Sequence, residues 1–391
     1  MKNEIINHLN EHIIPFWDSL VDRENGGFYG YVGNDLKPDK TADKGAVLHL
    51  RILWFYSNCY LILGDEKHLK TAKHCYDFIV KHFWDKEWGG VFTNVTATGK
   101  SLSPYEKSGY SYAFFIYAMS SYYAASGDSA AFELVLELFR KVEVKGYYET
   151  YAQNWCSRSE NKTAGYILHL VESYTEFYRV TESLSLKAHI AKCTEEILRI
   201  IYDKIYNKDE GCLYEVFDEN MNVVGDKRMY GHYVEAAWLI GRTLDTFGDL
   251  FDLDLTAKIR VMNESLYKKA DEVAFSTGGA LYYEEVGGVV NKRRAWWPQA
   301  EGVVGFLDAF RRTGEQKYFE RAEGLWGYIK SHVIDKREGG EWFNELDENE
   351  NPVTETFDEK KGKMVELPIV GDWKCPYHNG RMCLMAMEVL E

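Results

Sequence analysis

Apolar residues in this chain fall into blocks of two alternating kinds. From about Lys44 to Leu63 (KGAVLHLRILWFYSNCYLIL), apolar side chains occur almost all round a helical wheel, which predicts a buried helix. The next block, about 66–84, is amphipathic, with Lys, Glu and His along one face, which predicts an outer, solvated helix. The same order recurs near 108–125 and 129–142, near 163–179 and 184–204, near 231–247 and 253–273, and near 297–312 and 316–334. A first helix at about 3–20 and a last at about 376–390 supply one more pair. Twelve helices in six pairs, with the chain ends meeting, are satisfied by an all-α (α/α)6 barrel spanning 1–391 as one catalytic domain. Six inner helices would stand inside six outer ones. An open solenoid of stacked pairs is the alternative, but its inner helices would be less completely apolar.

Between the helix pairs a second pattern repeats. DRENGGFYGYV from Asp22, DKEWGGVFTNV from Asp85, NKDEGCLYEVF from Asn207 and DKREGGEWFNEL from Asp335 each run from charged residues through Gly into aromatic and β-branched residues. GGALYYEEV from Gly278 is a fifth copy and KGYYETYA from Lys145 a weaker sixth. Their first glycines, at 26, 89, 146, 211, 278 and 339, recur about every 60 residues, the sign of a repeat architecture. Gly supplies a positive φ at a turn, and the alternating residues after it predict short β-hairpins at one rim. The longest irregular, charged stretch is Leu346 to Leu367, before the last inner helix, and long loops in compact domains are usually functional or mobile.

Composition narrows the function. A net charge of −15 without basic clusters argues against nucleic acid or an anionic membrane as partner. No uninterrupted apolar run reaches the roughly 18 residues of a membrane helix. The N-terminus lacks an apolar signal core, and seven scattered cysteines suit a reducing compartment, so a cytoplasmic location is expected. Aromatic residues make up 15% of the chain. That fits either a large aromatic core or a carbohydrate cleft, where flat rings pack on the C–H faces of sugars.

If the ring is right, the first turns of the inner helices converge on one mouth. Arg51, Tyr110, His169, His232 with Glu235, Trp297 with Glu301, and Tyr377 with His378 stand near those starts, in phase with the repeat. Polar groups inside apolar helices need partners or a purpose. His232 and Glu235 share a helix face, so His232 is either satisfied by Glu235 or is an imidazole tuned for chemistry. His378, in WKCPYHNGRMC, falls in the first turn of a helix opened by Cys-Pro, with Trp373, Tyr377 and Arg381 nearby. His169 sits on an apolar face, and only its phase promotes it over a core histidine. His49 is read as structural. Trp296 and Trp297, with Glu301 one turn on, read as a sugar platform with a hydroxyl-binding acid. There is no phosphate loop, no dinucleotide fingerprint, no HExxH and no CxxC. Three histidines on three repeats lack metal-ligand spacing, so no metal and no cofactor are expected.

RILWFYSNCY, YGHYVEAAWL, WWPQAEGVVGF, IDKREGGEWF and WKCPYHNGRMC resemble the N-acylglucosamine 2-epimerase superfamily, and within it most of all the cellobiose 2-epimerases. The resemblance runs from ENGGFYGYV to the C-terminus and implies an (α/α)6 barrel. It also implies an isomerase that interconverts the C2 epimers at the reducing end of β-1,4-linked disaccharides through a cis-enediol. By motif, His232 and His378 take the positions of the proton-transferring pair, and His169 that of a third essential histidine. Arg51 matches the arginine on the enediolate oxygen. Tyr110, Glu235, Trp297, Glu301 and Trp373 match substrate-binding positions. The expected partner is a small-molecule sugar, with no nucleic acid and no membrane, and the chain is expected as a monomer or weak dimer. The sequence departs from the family pattern at Gly165, where Asn is usual, at Tyr233, where Asp is usual, at Ser108 and at Pro298; the segment around 147–163 is also short. These departures touch the sugar-binding shell and leave mannose, glucose or N-acylglucosamine as alternative substrates. An aldose–ketose isomerase, a glycoside hydrolase using Glu235 and Glu301, and a non-catalytic binding module are the other classes.

Overall fold

The computed structural model of the chain describes residues 1–102, 106–156, 161–358 and 361–390. The helices, in chain order, are α1 (2–19), α2 (Ala46–Leu63), α3 (66–83), α4 (Gly109–Ser126), α5 (Ser129–Lys145), α6 (Ala164–Val180), α7 (184–205), α8 (Tyr230–Phe247), α9 (Leu253–Val273), α10 (Trp296–Thr313), α11 (316–333) and α12 (His378–Val389). Each even-numbered helix packs on the next even-numbered one, and α12 packs back on α2, so six inner helices close a ring. Each odd-numbered helix backs an inner neighbour from outside, with α1 against α12. The fold is the (α/α)6 barrel.

Local chemistry explains the joints. Gly64, Gly127 and Gly314 end α2, α4 and α10 in the left-handed region that ordinary residues avoid. The acidic residue that follows starts the outer helix. The carboxylates of Asp65 and Asp128 accept the backbone N–H of Lys67 and Ala130, satisfying donors that a helix start leaves open. Four outer helices contain a wide π-helical turn, at 9–13, 79–83, 201–205 and 329–333. Among the inner helices α2 is apolar and long enough to cross a membrane by length and composition alone; here it is mostly buried inside the ring.

The rim differs in one respect from the hairpins predicted. Gly26 (φ 88°) and Gly89 (φ 68°) do make left-handed turns, closed by Asp22 and Asp85, whose carboxylates accept backbone N–H groups of the turn. In the fifth copy the left-handed residue near the turn is Gly279 (φ 86°), not Gly278. These turns close only short local pairings, such as Val21 with Phe28 and Trp84 with Val91. Five further strand pairs join neighbouring repeats. Lys44–Gly45 pairs with Asn94–Val95, Glu106–Ser108 with Thr150–Ala152, Lys162–Thr163 with Val216–Phe217, Arg228–Met229 with Glu284–Val286, and Arg294–Ala295 with Glu345–Leu346. A bridge between Val32 and Val370 makes the sixth link. Each strand that leads into an inner helix is thus held by the next repeat, which fixes where that helix starts and what its first turn faces. Two further antiparallel pairs, Glu284–Val286 with Val289–Asn291 and, in the long charged stretch, Glu355–Asp358 with Lys363–Glu366, stand beside the mouth.

Candidate active site

The first turns of the inner helices enclose a cavity of about 560 Å³. Arg51 (α2), Tyr110 (α4), His169 (α6), His232 and Glu235 (α8), Trp297 (α10), His378 (α12) and Trp373, on the segment before α12, all line it. The outer part of the wall comes from Tyr283, Asn291 and Arg293 on one side and from Asn344, Glu345, Thr356 and Leu367 on the other. Trp373 is 60% exposed at the mouth, whereas His169 and His378 are buried.

Each of the three histidines stands on a carboxylate through Nδ1. His169 meets Glu172 Oε2 at 3.0 Å, His378 meets Glu301 Oε1 at 2.6 Å, and His232 meets Glu215 Oε1 and Oε2 at 3.0 and 2.9 Å. Such a contact fixes the ring and leaves Nε2 as the nitrogen available to a substrate. The ring of Trp297 lies 5.2 Å from that of His232 and 5.6 Å from that of His378, so it packs against both. Arg51 donates to the Tyr110 hydroxyl at 3.0 Å and to the Trp373 carbonyl at 3.3 Å, and its guanidinium rests on the rings of Phe114 and Tyr377.

Beneath the cavity floor Arg381, fully buried, gathers three carboxylates. It donates to Glu172 at 2.5 Å, to Glu235 at 2.5 Å and to Glu301 at 2.7 Å, and it also meets the Tyr377 hydroxyl. Tyr377 in turn donates to Glu172 at 2.7 Å. Burial works against charge on all of these groups. For Glu172, burial is outweighed by Arg381 and His169, and its carboxyl is held down at about 2. For Glu301, burial wins over Arg381 and Trp238, and its carboxyl is raised. His378 is pushed well below the ordinary histidine range by burial, then by the Arg51 and Arg381 cations, against the pull of Glu235. His232 is only partly buried, its side chain 15% exposed, and the charge and hydrogen bond of Glu215 outweigh its desolvation and raise it. The two histidines are therefore biased to opposite protonation states.

The structure corrects one expectation and decides between two readings of His232. Glu301 does not line the cavity. It is fully buried behind His378, with Oε1 on His378 and Arg381 and Oε2 accepting from Trp238 at 2.9 Å, so no oxygen is left for a sugar hydroxyl. The hydrogen-bonded partner of His232 is Glu215, not Glu235, which instead meets Arg381. His49 is structural, as expected: Nδ1 meets the Gly45 carbonyl at 2.8 Å and Nε2 the Phe28 N–H at 3.1 Å. Sequence reasoning missed Glu172, Glu215 and Glu341 and gave Arg381 no role. Glu341, fully buried, holds Lys374 and Asn379 and so anchors the segment carrying His378. The i, i+3 spacing of His169 and Glu172 was a readable signal; Glu215, on a rim loop, gave none.

Among the described residues, one group of acids and histidine has metal-ligand spacing: Glu235, Glu301 and His378, with ligand atoms within 4.8 Å of one another. The Arg381 guanidinium bonds both of its carboxylates, so a cation already serves that place.

The family profile described as N-acylglucosamine 2-epimerase (GlcNAc 2-epimerase) matches residues 27–364. A cellobiose 2-epimerase of Ruminococcus albus is 42% identical over 405 residues, covering 100% of this chain and 98% of that protein. A cellobiose 2-epimerase of Dictyoglomus turgidum is 39% identical, covering 99% and 98%. A crystal structure of a sugar epimerase from a ruminal bacterium superposes with a TM-score of 0.90 at 41% identity, covering 99% and 98%. A family profile matched over most of the chain, relatives aligned over nearly their whole length and a shared ring of helices agree: the chain belongs to the N-acylglucosamine 2-epimerase family and is an isomerase of the epimerase type.

Proposed function

We propose that the chain epimerises C2 of the reducing-end sugar of β-1,4-linked disaccharides such as cellobiose and lactose. One observation carries the reading: two imidazoles line one cavity against Trp297, each held on a buried carboxylate, and they are biased to opposite protonation states. An epimerase that inverts a carbon next to a carbonyl needs such a pair, one group to take the proton and one to return it to the other face. The length of the cavity supports a disaccharide, because its wall continues beyond the histidines to Arg293, Glu345 and Thr356. The full-length relatives named above support it too.

The steps follow from the groups present. The reducing-end ring opens to its aldehyde, and the hydrogen on C2 becomes acidic. One histidine removes it, and the electron pair moves into a cis-enediolate. Arg51 holds the oxygen on which charge develops, in a buried site where a fixed cation is worth more than in water. The intermediate turns about C2–C3, and the second histidine protonates the opposite face. His169, on Glu172, stands at the same cavity to assist ring opening or to hold a hydroxyl.

The test is an incubation in D₂O, with excess EDTA, of cellobiose, lactose, mannose, glucose and N-acetylglucosamine separately, followed by NMR. The expected product is a C2-epimeric disaccharide carrying deuterium at C2. Epimerised monosaccharide alone would move the substrate but keep the mechanism. Ketose would replace the reading by aldose–ketose isomerisation, and free glucose from cellobiose by hydrolysis.

A further inference from the structure

The two histidines that pack against Trp297 stand on carboxylates of unlike standing. Glu301 is shared: besides His378 it accepts from Arg381 and from Trp238. Glu215 is not. Both of its oxygens face His232 Nδ1, and among the described residues no Lys or Arg pairs with it. It is 5% exposed, on the loop between Cys212–Leu213 and Val216–Phe217, and it does not line the cavity. A buried carboxylate without a cation needs a proton close by to offset its lost hydration. His232 is the group in reach.

The two dyads are also unconnected. From His378 the hydrogen bonds run through Glu301 and Arg381 to Glu172 and His169, whereas among the described residues the Glu215 side chain leads nowhere but His232. The charges that face His232 are those of Glu215 and Glu235 against Lys227. Those that face His378 include Glu235 and Glu301 against Arg51, Arg381 and His169.

We propose that Glu215 is a positioning residue that keeps His232 protonated between turnovers, so that the resting enzyme carries its working proton on His232 and none on His378. This rests on the two-histidine reading above and names the start of its cycle. As the C2–H bond breaks, the proton goes to His378 Nε2. His232 then gives its own proton to the opposite face of C2, and a new C2–H bond forms. The charge now sits on His378. After product leaves, His378 releases that proton to cavity water and His232 takes one up, which restores the start with no net gain or loss of protons or electrons. Because no hydrogen-bonded chain joins the dyads among the described residues, this reset runs through water in the open cavity.

The test compares pH profiles of kcat/KM for cellobiose epimerisation in the wild type, Glu215→Gln and Glu215→Asp, with a melting curve for each. In the wild type the alkaline limb reports loss of the proton from His232. Glu215→Gln should lower the plateau about 10²–10³-fold and move the alkaline limb down by about one pH unit or more, leaving the acid limb in place. Glu215→Asp should bring the limb back towards the wild type and restore most of the rate. A folded Glu215→Gln protein whose profile is merely scaled down, with its alkaline limb unmoved, overturns the proposal. A second measurement needs no Glu215 variant: ¹⁵N-histidine NMR of the wild type should find His232 gaining its proton at higher pH than His378. The reverse order overturns the proposal whatever the variants do. Failure of the parent reading looks different, since the wild type would then exchange no C2 hydrogen of any sugar.

Discussion

The two ends of the helix ring hold charges in opposite ways. At the far end, Arg311 and Arg312 bind Asp245 and Asp308, and Arg242 binds Glu388, around a second cavity of about 330 Å³. Those cations are partly exposed, and each has a carboxylate to itself or shares two. Beneath the cavity floor, three carboxylates crowd one arginine, Glu172, Glu235 and Glu301 around Arg381, and all four are almost fully buried. Charge is balanced in the far-end pairs and negative in excess in the Arg381 cluster. A buried excess of carboxylate is a place where protons are held, and the histidines stand there. The proposed chemistry falls where buried charge is left uneven, and on that reading the balanced end is scaffold.

Four substitutions test that contrast. The largest effect is expected from His378→Asn, which should lower kcat/KM by at least about 10³-fold with little change in melting temperature; near-wild-type turnover would remove His378 from the mechanism. Next is Arg381→Met, which leaves three buried carboxylates without their cation and should cost about 3–5 kcal/mol in urea unfolding. A loss below about 1 kcal/mol would place Arg381 among ordinary surface pairs. Gly26→Val forces a β-branched residue into φ 88° with its Cβ 3.1 Å from the Phe78 ring. It should cost about 1–3 kcal/mol while the folded fraction keeps its turnover number, because the rim turn holds structure and touches no substrate. The smallest is Arg312→Met at the far end, expected to cost about 1 kcal/mol or less with epimerase activity unchanged. A loss of activity there would show that the far cavity talks to the mouth.

Much of this was legible along the chain. The alternation of all-apolar and amphipathic blocks gave six helix pairs, and a period near 60 residues put Arg51, Tyr110, His169, His232, Trp297 and His378 at equivalent helix starts. They do meet around one cavity. What stayed hidden was depth and reach. Trp297 and Glu301 lie four residues apart on one helix face, yet one turn of helix carries Glu301 below the floor, where it holds His378 instead of a sugar. Glu215 comes from a loop 17 residues before His232 in the chain, and only the pairing of Val216–Phe217 with the neighbouring repeat places it. Arg381 was visible beside His378, but the three carboxylates it gathers come from three other helices, at long range in sequence.

The rim links carry a consequence for how the molecule comes apart. In a linear array of repeats the terminal units have a neighbour on one side only, so they fray first and unfolding creeps inwards. Here the bridge between Val32 and Val370 and the packing of α12 on α2 leave no terminal unit. Opening any one of the six links exposes two raw edges at once and loosens the first turns on which the histidines stand. Loss of the catalytic cavity and loss of the ring should therefore be a single event, with no shortened, partly working array between them.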